Sequence, residues 1–292
     1  MQNVTICGSG VQGSMIAFRN AYEGKNVTLY DTSQDSLDTA MKKIDRWLQY
    51  YVDTGKLDGA GAGAARSRIT PTYGALEKAL EGCGLIIECV PEILSLKQEV
   101  WEQYDRLAPK AACICTNSSS LKVSDIYIHV GRKEKTFAVN HDDPVKNSCV
   151  EMMWNPATSE ETKRIAKQHW NELGYEPIIT EKEIKGYSMN RTWRVVKKEV
   201  LRLWAEGYTT PEEFDRGWKM EWGTKFGPFK YMDLIGLDTI YHIEMSYYEE
   251  SGDERDKPPA KLKEMIDKGL LGMKSGRGFY DGYDPEIGNI EV

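Results

Sequence analysis

Two groups of residues in this chain can do chemistry. The first is Gly8-Ser9-Gly10-Val11-Gln12-Gly13, which follows the short apolar strand Val4-Thr5-Ile6-Cys7 and opens a helix. A glycine turn in that context cradles a dinucleotide. Gly8 permits the tight turn, Gly10 lets backbone approach a pyrophosphate, and Gly13 allows helix and strand to pack closely. Val11 and Gln12 then supply the helix N-terminus that favours the anionic phosphates. Asp31 ends the next strand, 18 positions after Gly13. A carboxylate there accepts from both ribose hydroxyls and repels a 2′-phosphate, so the expected cofactor is NAD.

The second group is polar and scattered. Asn117-Ser118-Ser119-Ser120-Leu121 follows a strand at Ala111 to Thr116, and His141 follows another at Thr136 to Asn140. Glu151 lies ten positions beyond His141, and Asn190 stands in Gly186-Tyr187-Ser188-Met189-Asn190. Ligands of a doubly wound sheet sit at the carboxyl ends of the strands, so Asn117 to Leu121 should face the cofactor.

The elements that must position these side chains are legible in outline. Helices are expected over Val11 to Tyr22, Ser33 to Thr54 and Ser95 to Leu107, with strands at Asn26 to Tyr30 and Gly84 to Val90. Strands alternating with helices, each strand continuously apolar, indicate a parallel sheet covered on both faces. The run from Gly59 to Ala65 reads as a flexible or tightly turning link between two helices. Beyond about Glu181 only helical spacing recurs, as in Met189, Trp193, Val196, Val200 and Leu203. Thr210 and Pro211 read as the N-cap and first turn of another helix, and two more are expected over Gly236 to Glu250 and Pro259 to Lys268. The fold class is therefore α/β: a Rossmann-type doubly wound parallel sheet over 1–184, with a helical hairpin insertion near 33–68, followed by an all-helical domain over 185–292.

Composition narrows the function. Of 292 residues 40% are hydrophobic and 28% charged, a globular balance. The net charge of −7 argues against nucleic acid as the main partner. No apolar run approaches the ~20 residues of a membrane span, and Met1-Gln2-Asn3-Val4 does not open like a secretory leader. The six cysteines form neither a CxxC pair nor a zinc-ligand pattern, so no metal is expected and the thiols read as reduced, in a cytoplasmic protein.

Taken together, the sequence resembles the L-3-hydroxyacyl-CoA dehydrogenases, and does so over nearly its whole length. The carriers are Glu88-Cys89-Val90-Pro91-Glu92 with Lys97, Asn117 to Leu121, His141, Glu151, Gly186 to Arg191, Gly227-Pro228-Phe229, Asp233 to Asp238 and Lys274 to Tyr280. The resemblance implies that His141 is the catalytic base with Glu151 as its carboxylate partner. It implies that Ser119 and Asn190 bind the substrate's reacting oxygens, that Glu92 and Lys97 contact the nicotinamide-side ribose, and that Lys56 meets the CoA phosphates. The residue types suit alcohol oxidation: a neutral imidazole takes the proton, a carboxylate stabilises the imidazolium, and hydroxyl and amide groups donate without competing charge.

The expected activity is hydride transfer between NAD and the 3-hydroxy or 3-keto group of an acyl-CoA. Two alternatives stand beside it: a dehydrogenase of a free hydroxy acid, sugar acid or carnitine-like compound, and a crystallin-like protein that keeps NAD without catalysis. Two departures from the family pattern bear on this choice. The family follows its His with an aromatic or apolar pair and Asn-Pro, whereas this chain has Asp142-Asp143-Pro144 and a loop about two residues shorter. Glu151, or failing it Asp142 or Asp143, should then stand beside the ring. The helix Ser33 to Thr54 also offers Val52 where a lysine often stands, beside Trp47, Tyr50 and Tyr51. A homodimer is expected through the helical domain, because Trp193, Trp204, Trp218, Trp222 and Phe229 exceed what so small a domain readily encloses.

Overall fold

The computed structural model describes residues 1–145 and 149–283. The chain forms two compact units: the first is Met1–Asn190 and the second begins at Arg191.

The first unit is built on eight strands: β1 (Asn3–Cys7), β2 (Asn26–Asp31), β3 (Ile69–Tyr73), β4 (Leu85–Glu88), β5 (Cys113–Thr116), β6 (Thr136–His141), β7 (Cys149–Trp154) and β8 (Glu176–Thr180). They lie in the order β3-β2-β1-β4-β5-β6-β7-β8. Every pairing is parallel except β6 with β7. The order reverses between β1 and β4, and such a switch point opens the crevice in which doubly wound folds bind ligands. Helices α1 (Val11–Tyr22), α2 (Gln34–Asp53), α3 (Gly59–Ser67), α4 (Leu76–Leu80), α5 (Leu94–Leu107), α6 (Val123–Ile126) and α7 (Glu160–Glu172) connect the strands.

Each sheet face buries its own core. Ile86, Ile114, Ala138 and Met153 point to one side, against Trp101, Tyr127 and Tyr187. On another side Phe18 packs edge-on against Trp47 and Tyr51 of α2, with ring centroids 5.7 and 5.2 Å apart. Those α2 aromatics are therefore core residues rather than an open ligand platform.

Residues Gly59 to Ala65 are not a link. They form α3, whose first turn is capped where the Gly61 amide donates to Asp58 at 2.6 Å. The alanines interleaved with the glycines are strong helix formers, and buried Ala65 anchors the segment.

Helix α8 (Ser188–Ala205) begins in the first unit. The second unit continues with α9 (Pro211–Trp222), α10 (Pro228–Ile235), α11 (Leu237–Ser251) and α12 (Ala260–Asp267). Thr210 caps α9 with Pro211 in its first turn. Trp204 and Phe229 lie inside this unit's own core with Leu201, Met232 and Ile240, so the expectation that they are surplus to it is corrected. Val195, Tyr208, Met220 and Trp222 stay exposed instead. Among the described residues no helix is long and apolar enough to cross a membrane.

Candidate active site

The glycine turn sits at the switch point. Gly8 has φ +107°, and a Cβ there would lie 2.6 Å from the Cys89 carbonyl oxygen. A Cβ on Gly13 would lie 1.8 Å from the Gly8 carbonyl oxygen, so both positions admit only glycine. Gly10 differs: a Cβ there would meet nothing within 4 Å. That open space lies at the N-terminus of α1, which has no side-chain cap. Unsatisfied amides facing open space are what a pyrophosphate needs. The side-chain oxygen of Gln12 is buried without a hydrogen-bond partner, a second polar group left for a ligand. Asp31 closes the turn from β2, accepting from the Ser9 amide and hydroxyl, both at 2.7 Å, and from the Ser33 amide at 2.9 Å. These residues fit a dinucleotide.

A cleft beside this turn is lined by Gln12, Cys89, Val90, Glu92, Lys97, Asn117, Ser119, Asn140 and His141. Its floor is an ionic network. Lys97 Nζ donates to Glu88 at 2.6 Å and to the Val90 carbonyl at 3.1 Å, and lies 3.3 Å from Glu92. Glu92 in turn accepts from the hydroxyls of Ser118 and Ser120 at 2.5 and 2.7 Å. Burial alone would raise the Glu92 carboxyl, but Lys97 and the two serines pull it below its usual range. Burial opposes the charge on Lys97 too, and Glu88 and Glu92 overcome it and raise its pKa. Glu92 thus holds the Asn117–Leu121 turn in place. Glu88, which belongs to the same motif as Glu92, was not read from sequence as a site residue.

His141 also lines the cleft, but not as the sequence suggested. Its Nδ1 meets Asn117 Oδ1 at 2.6 Å, and its Nε2 accepts from the Trp170 indole at 2.9 Å. Neither nitrogen is bonded to Glu151, Asp142 or Asp143. Glu151 accepts instead from the Thr180 hydroxyl at 2.7 Å, from the Ser188 amide at 2.8 Å and hydroxyl, and from the Met189 amide at 3.2 Å. His141 and Glu151 are thus not joined by a hydrogen bond in this structure, and the reason is strand register. Asn140 pairs with Glu151, and His141 with Val150. Side chains alternate faces along a strand, so the imidazole and the carboxylate point to opposite sides of the sheet. Burial pushes the His141 imidazole down to about 3, which keeps it neutral.

The remaining candidates divide. Asn190, in the first turn of α8, donates to the Ser119 carbonyl at 3.1 Å, so these two meet. Between them the chain is fixed by Tyr187, a buried non-glycine residue at φ +53° whose hydroxyl donates to the Ser118 carbonyl at 3.1 Å. Lys56 stands apart from the cleft, exposed at the end of α2, with Nζ 4.7 Å from the Tyr51 ring centroid. Trp170 and Thr180 carry no sequence signal, because isolated apolar or hydroxyl residues form no motif, and Tyr187 lies in the Gly186–Arg191 motif without a role that its position reveals.

A glycine turn at the switch point of a doubly wound sheet, with an acidic residue ending the second strand, defines a dinucleotide-binding protein. Residues 3–184 match the family described as 3-hydroxyacyl-CoA dehydrogenase, NAD binding domain, and residues 186–282 match its C-terminal domain. The chain belongs to the 3-hydroxyacyl-CoA dehydrogenase family, whose members are NAD-dependent oxidoreductases acting on CH–OH donors.

It is 28% identical over 282 residues to a probable 3-hydroxybutyryl-CoA dehydrogenase of Bacillus subtilis (strain 168), covering 96% of this chain and 97% of the relative. It is 27% identical over 287 residues to the mitochondrial hydroxyacyl-coenzyme A dehydrogenase of Homo sapiens, covering 96% and 91%. Among solved structures, a diketoreductase described as acting on dicarbonyl compounds superposes with a TM-score of 0.87 at 34% identity, covering 96% of this chain and 99% of that one. The (S)-3-hydroxybutyryl-CoA dehydrogenase from Ralstonia eutropha gives 0.86 at 28% identity, covering 97% and 100%.

Proposed function

We propose that this protein interconverts a hydroxyl and a ketone on the third carbon of an acyl-CoA, using NAD. The observation that carries the reading is one cleft at the strand ends where the glycine turn's Gln12 meets Asn117, Ser119, Asn140 and His141. In it, Gly8, Gly10, Val11, Gln12 and Gly13 would hold the pyrophosphate and Asp31 the adenosine ribose. Glu92, Lys97 and Asn117 border the nicotinamide side. The bound nicotinamide supplies or accepts the hydride. Ser119 and Asn190 orient the substrate's oxygens through neutral donors, and Lys56 offers a cation to the CoA phosphates. Saturable loss of NADH with acetoacetyl-CoA tests the reading. Tight NADH binding without turnover of any ketone would favour the crystallin-like alternative.

A second reading keeps the hydride chemistry and drops CoA. It is favoured by the diketoreductase likeness and by Lys56, which lies against Tyr51 with its partner position filled by Val52. Free dicarbonyl compounds and hydroxy acids belong in the same assay, and their preference over CoA esters would select it.

We further propose a homodimer, in which exposed Val195, Met220 and Trp222 of the second unit are covered by a second copy. A sedimentation mass of one 33.2 kDa chain would exclude it. We place the protein in the cytoplasm, where its six free thiols stay reduced.

A further inference from the structure

The loop that follows β6 is held by side chains from three distant elements. The Tyr175 hydroxyl donates to the Pro144 carbonyl at 2.8 Å, and the Tyr51 hydroxyl, from α2, donates to the Val145 carbonyl at 3.1 Å. The third tie comes from the glycine turn, where Gln12 Nε2 donates to the Asp142 carbonyl at 3.2 Å. This bond joins the first turn of α1 to the residue just beyond β6.

The same bond decides which way the Gln12 amide faces. A carbonyl oxygen can only accept, so the amide must turn its NH₂ toward Asp142. Its own oxygen is thereby directed away, and Oε1 is buried without a hydrogen-bond partner. Buried acceptors are nearly always paired, because an unpaired one has given up its water for nothing. Gln12 lines the cleft with Glu92, Lys97, Asn117 and Ser119. Lys97, the cation of that lining, does not serve it. An ammonium has three donors, and Nζ of Lys97 already meets Glu88, the Val90 carbonyl and Glu92.

The chemistry of a dinucleotide says which part of it can pair this oxygen. The pyrophosphate offers only acceptors, so it suits the backbone amides of the turn and not Oε1. The adenosine ribose is assigned above to Asp31. The donors that remain beyond the pyrophosphate are the hydroxyls of the second ribose and the carboxamide NH₂ of the nicotinamide.

We infer that the Gln12 side chain recognises the nicotinamide half of the cofactor, accepting through Oε1 from a ribose hydroxyl or the carboxamide while Nε2 stays on the Asp142 carbonyl. The inference rests on the placing of the pyrophosphate at the glycine turn proposed above. Gln12 then serves the dinucleotide twice. Its backbone stands at the helix N-terminus that favours the phosphates, and its side chain ties the nicotinamide half to the loop beside His141. A nucleotide that ends at the diphosphate leaves Oε1 unpaired.

Binding of three ligands of increasing length tests this. ADP ends at the diphosphate, ADP-ribose adds the second ribose, and NADH adds the nicotinamide. Calorimetric titration gives each dissociation constant for the unaltered protein and for Gln12→Met, which keeps the length of the side chain and loses both ends of the amide. ADP should bind the two proteins alike. NADH should bind Gln12→Met roughly three- to tenfold more weakly, the loss expected for one neutral hydrogen bond. A loss already complete with ADP-ribose assigns the donor to the ribose, and a loss seen with NADH alone assigns it to the carboxamide. Gln12→Glu keeps an acceptor oxygen and cannot donate to Asp142, so it should retain the gain of NADH over its own ADP affinity. Three outcomes overturn the inference: an equal loss for all three ligands in Gln12→Met, no loss for any of them, or a Gln12→Glu that loses the gain over ADP as fully as Gln12→Met does. An unaltered protein that binds none of the three overturns the placing of the dinucleotide itself.

Discussion

Glu151 accepts from the backbone amides of both Ser188 and Met189, so a carboxylate from β7 caps the first turn of the helix that carries Asn190. A negative charge there satisfies orphan amides and complements the helix dipole. Glu151→Ala would leave these donors and the Thr180 hydroxyl unpaired in a buried place, a loss of about 3 kcal/mol. Glu151→Gln, which keeps one acceptor oxygen, should lose less. Urea denaturation measures both. An unchanged midpoint in Glu151→Ala would show that the carboxylate does not anchor α8.

Lys97 and Glu88 are almost wholly buried, and each is the other's charge partner at 2.6 Å. Lys97→Met strands Glu88 and should cost about 3–5 kcal/mol. Adding Glu88→Gln should return part of that loss, because the fully buried carboxylate is then gone and only the less buried Glu92 has lost its partner. Thermal melts of the single and double variants check the sign. A double variant less stable than Lys97→Met would refute the pairing as the cause.

Sequence legibility followed the strength of local signals. Gly8 and Gly13 were readable because backbone geometry leaves no alternative to glycine where carbonyl oxygens of Cys89 and Gly8 crowd the turn, and Gly10, whose Cβ would meet nothing, through its spacing between them. Strands β1, β2, β4 and β5 were readable because burial on both faces makes them continuously apolar. Strand β3, Ile-Thr-Pro-Thr-Tyr, was not, since an edge strand tolerates proline and polar residues. That His141 and Glu151 are not hydrogen-bonded to each other here was not legible for a different reason. Spacing along the chain gives a distance but not a register, and a shift of one residue turns a side chain to the other face. The roles of Trp170 and Tyr187 depend on contacts remote in sequence, which no local pattern encodes.

Asp31 connects the cofactor reading to a measurable preference. Removing its carboxylate in Asp31→Ala takes away the acceptor proposed for the ribose hydroxyls, and also the tie to Ser9. NADH affinity should fall by roughly tenfold or more, given about 1.4 kcal/mol or more for a charge-assisted hydrogen bond. Discrimination against NADPH should narrow, since the repulsion of a 2′-phosphate goes too. Fluorescence titration with both cofactors reads the ratio. Equal affinity of the unaltered protein for NADH and NADPH would contradict the role.

His141 and His169 are both buried, and burial pushes each imidazole down to about 3. In the unfolded chain they protonate near the ordinary value of about 6.5. Their neutral burial therefore contributes fully above about pH 6.5, and is lost as pH falls from there toward 3, at up to about 1.4 kcal/mol per pH unit per ring. Urea midpoints at about pH 7 and pH 5 should show this loss, and His169→Phe should reduce it. A midpoint that rises on acidification over that range would contradict the burial of neutral rings.

The reaction proposed for this protein is hydride transfer between NAD and the third carbon of an acyl-CoA. The most direct measurement supplies acetoacetyl-CoA with NADH deuterated at its transferring carbon and locates the label in the product. The expected product is 3-hydroxybutyryl-CoA carrying deuterium on the third carbon, formed in step with NADH loss. Product without deuterium there, or NADH that binds and is never consumed with any CoA ester, would contradict it.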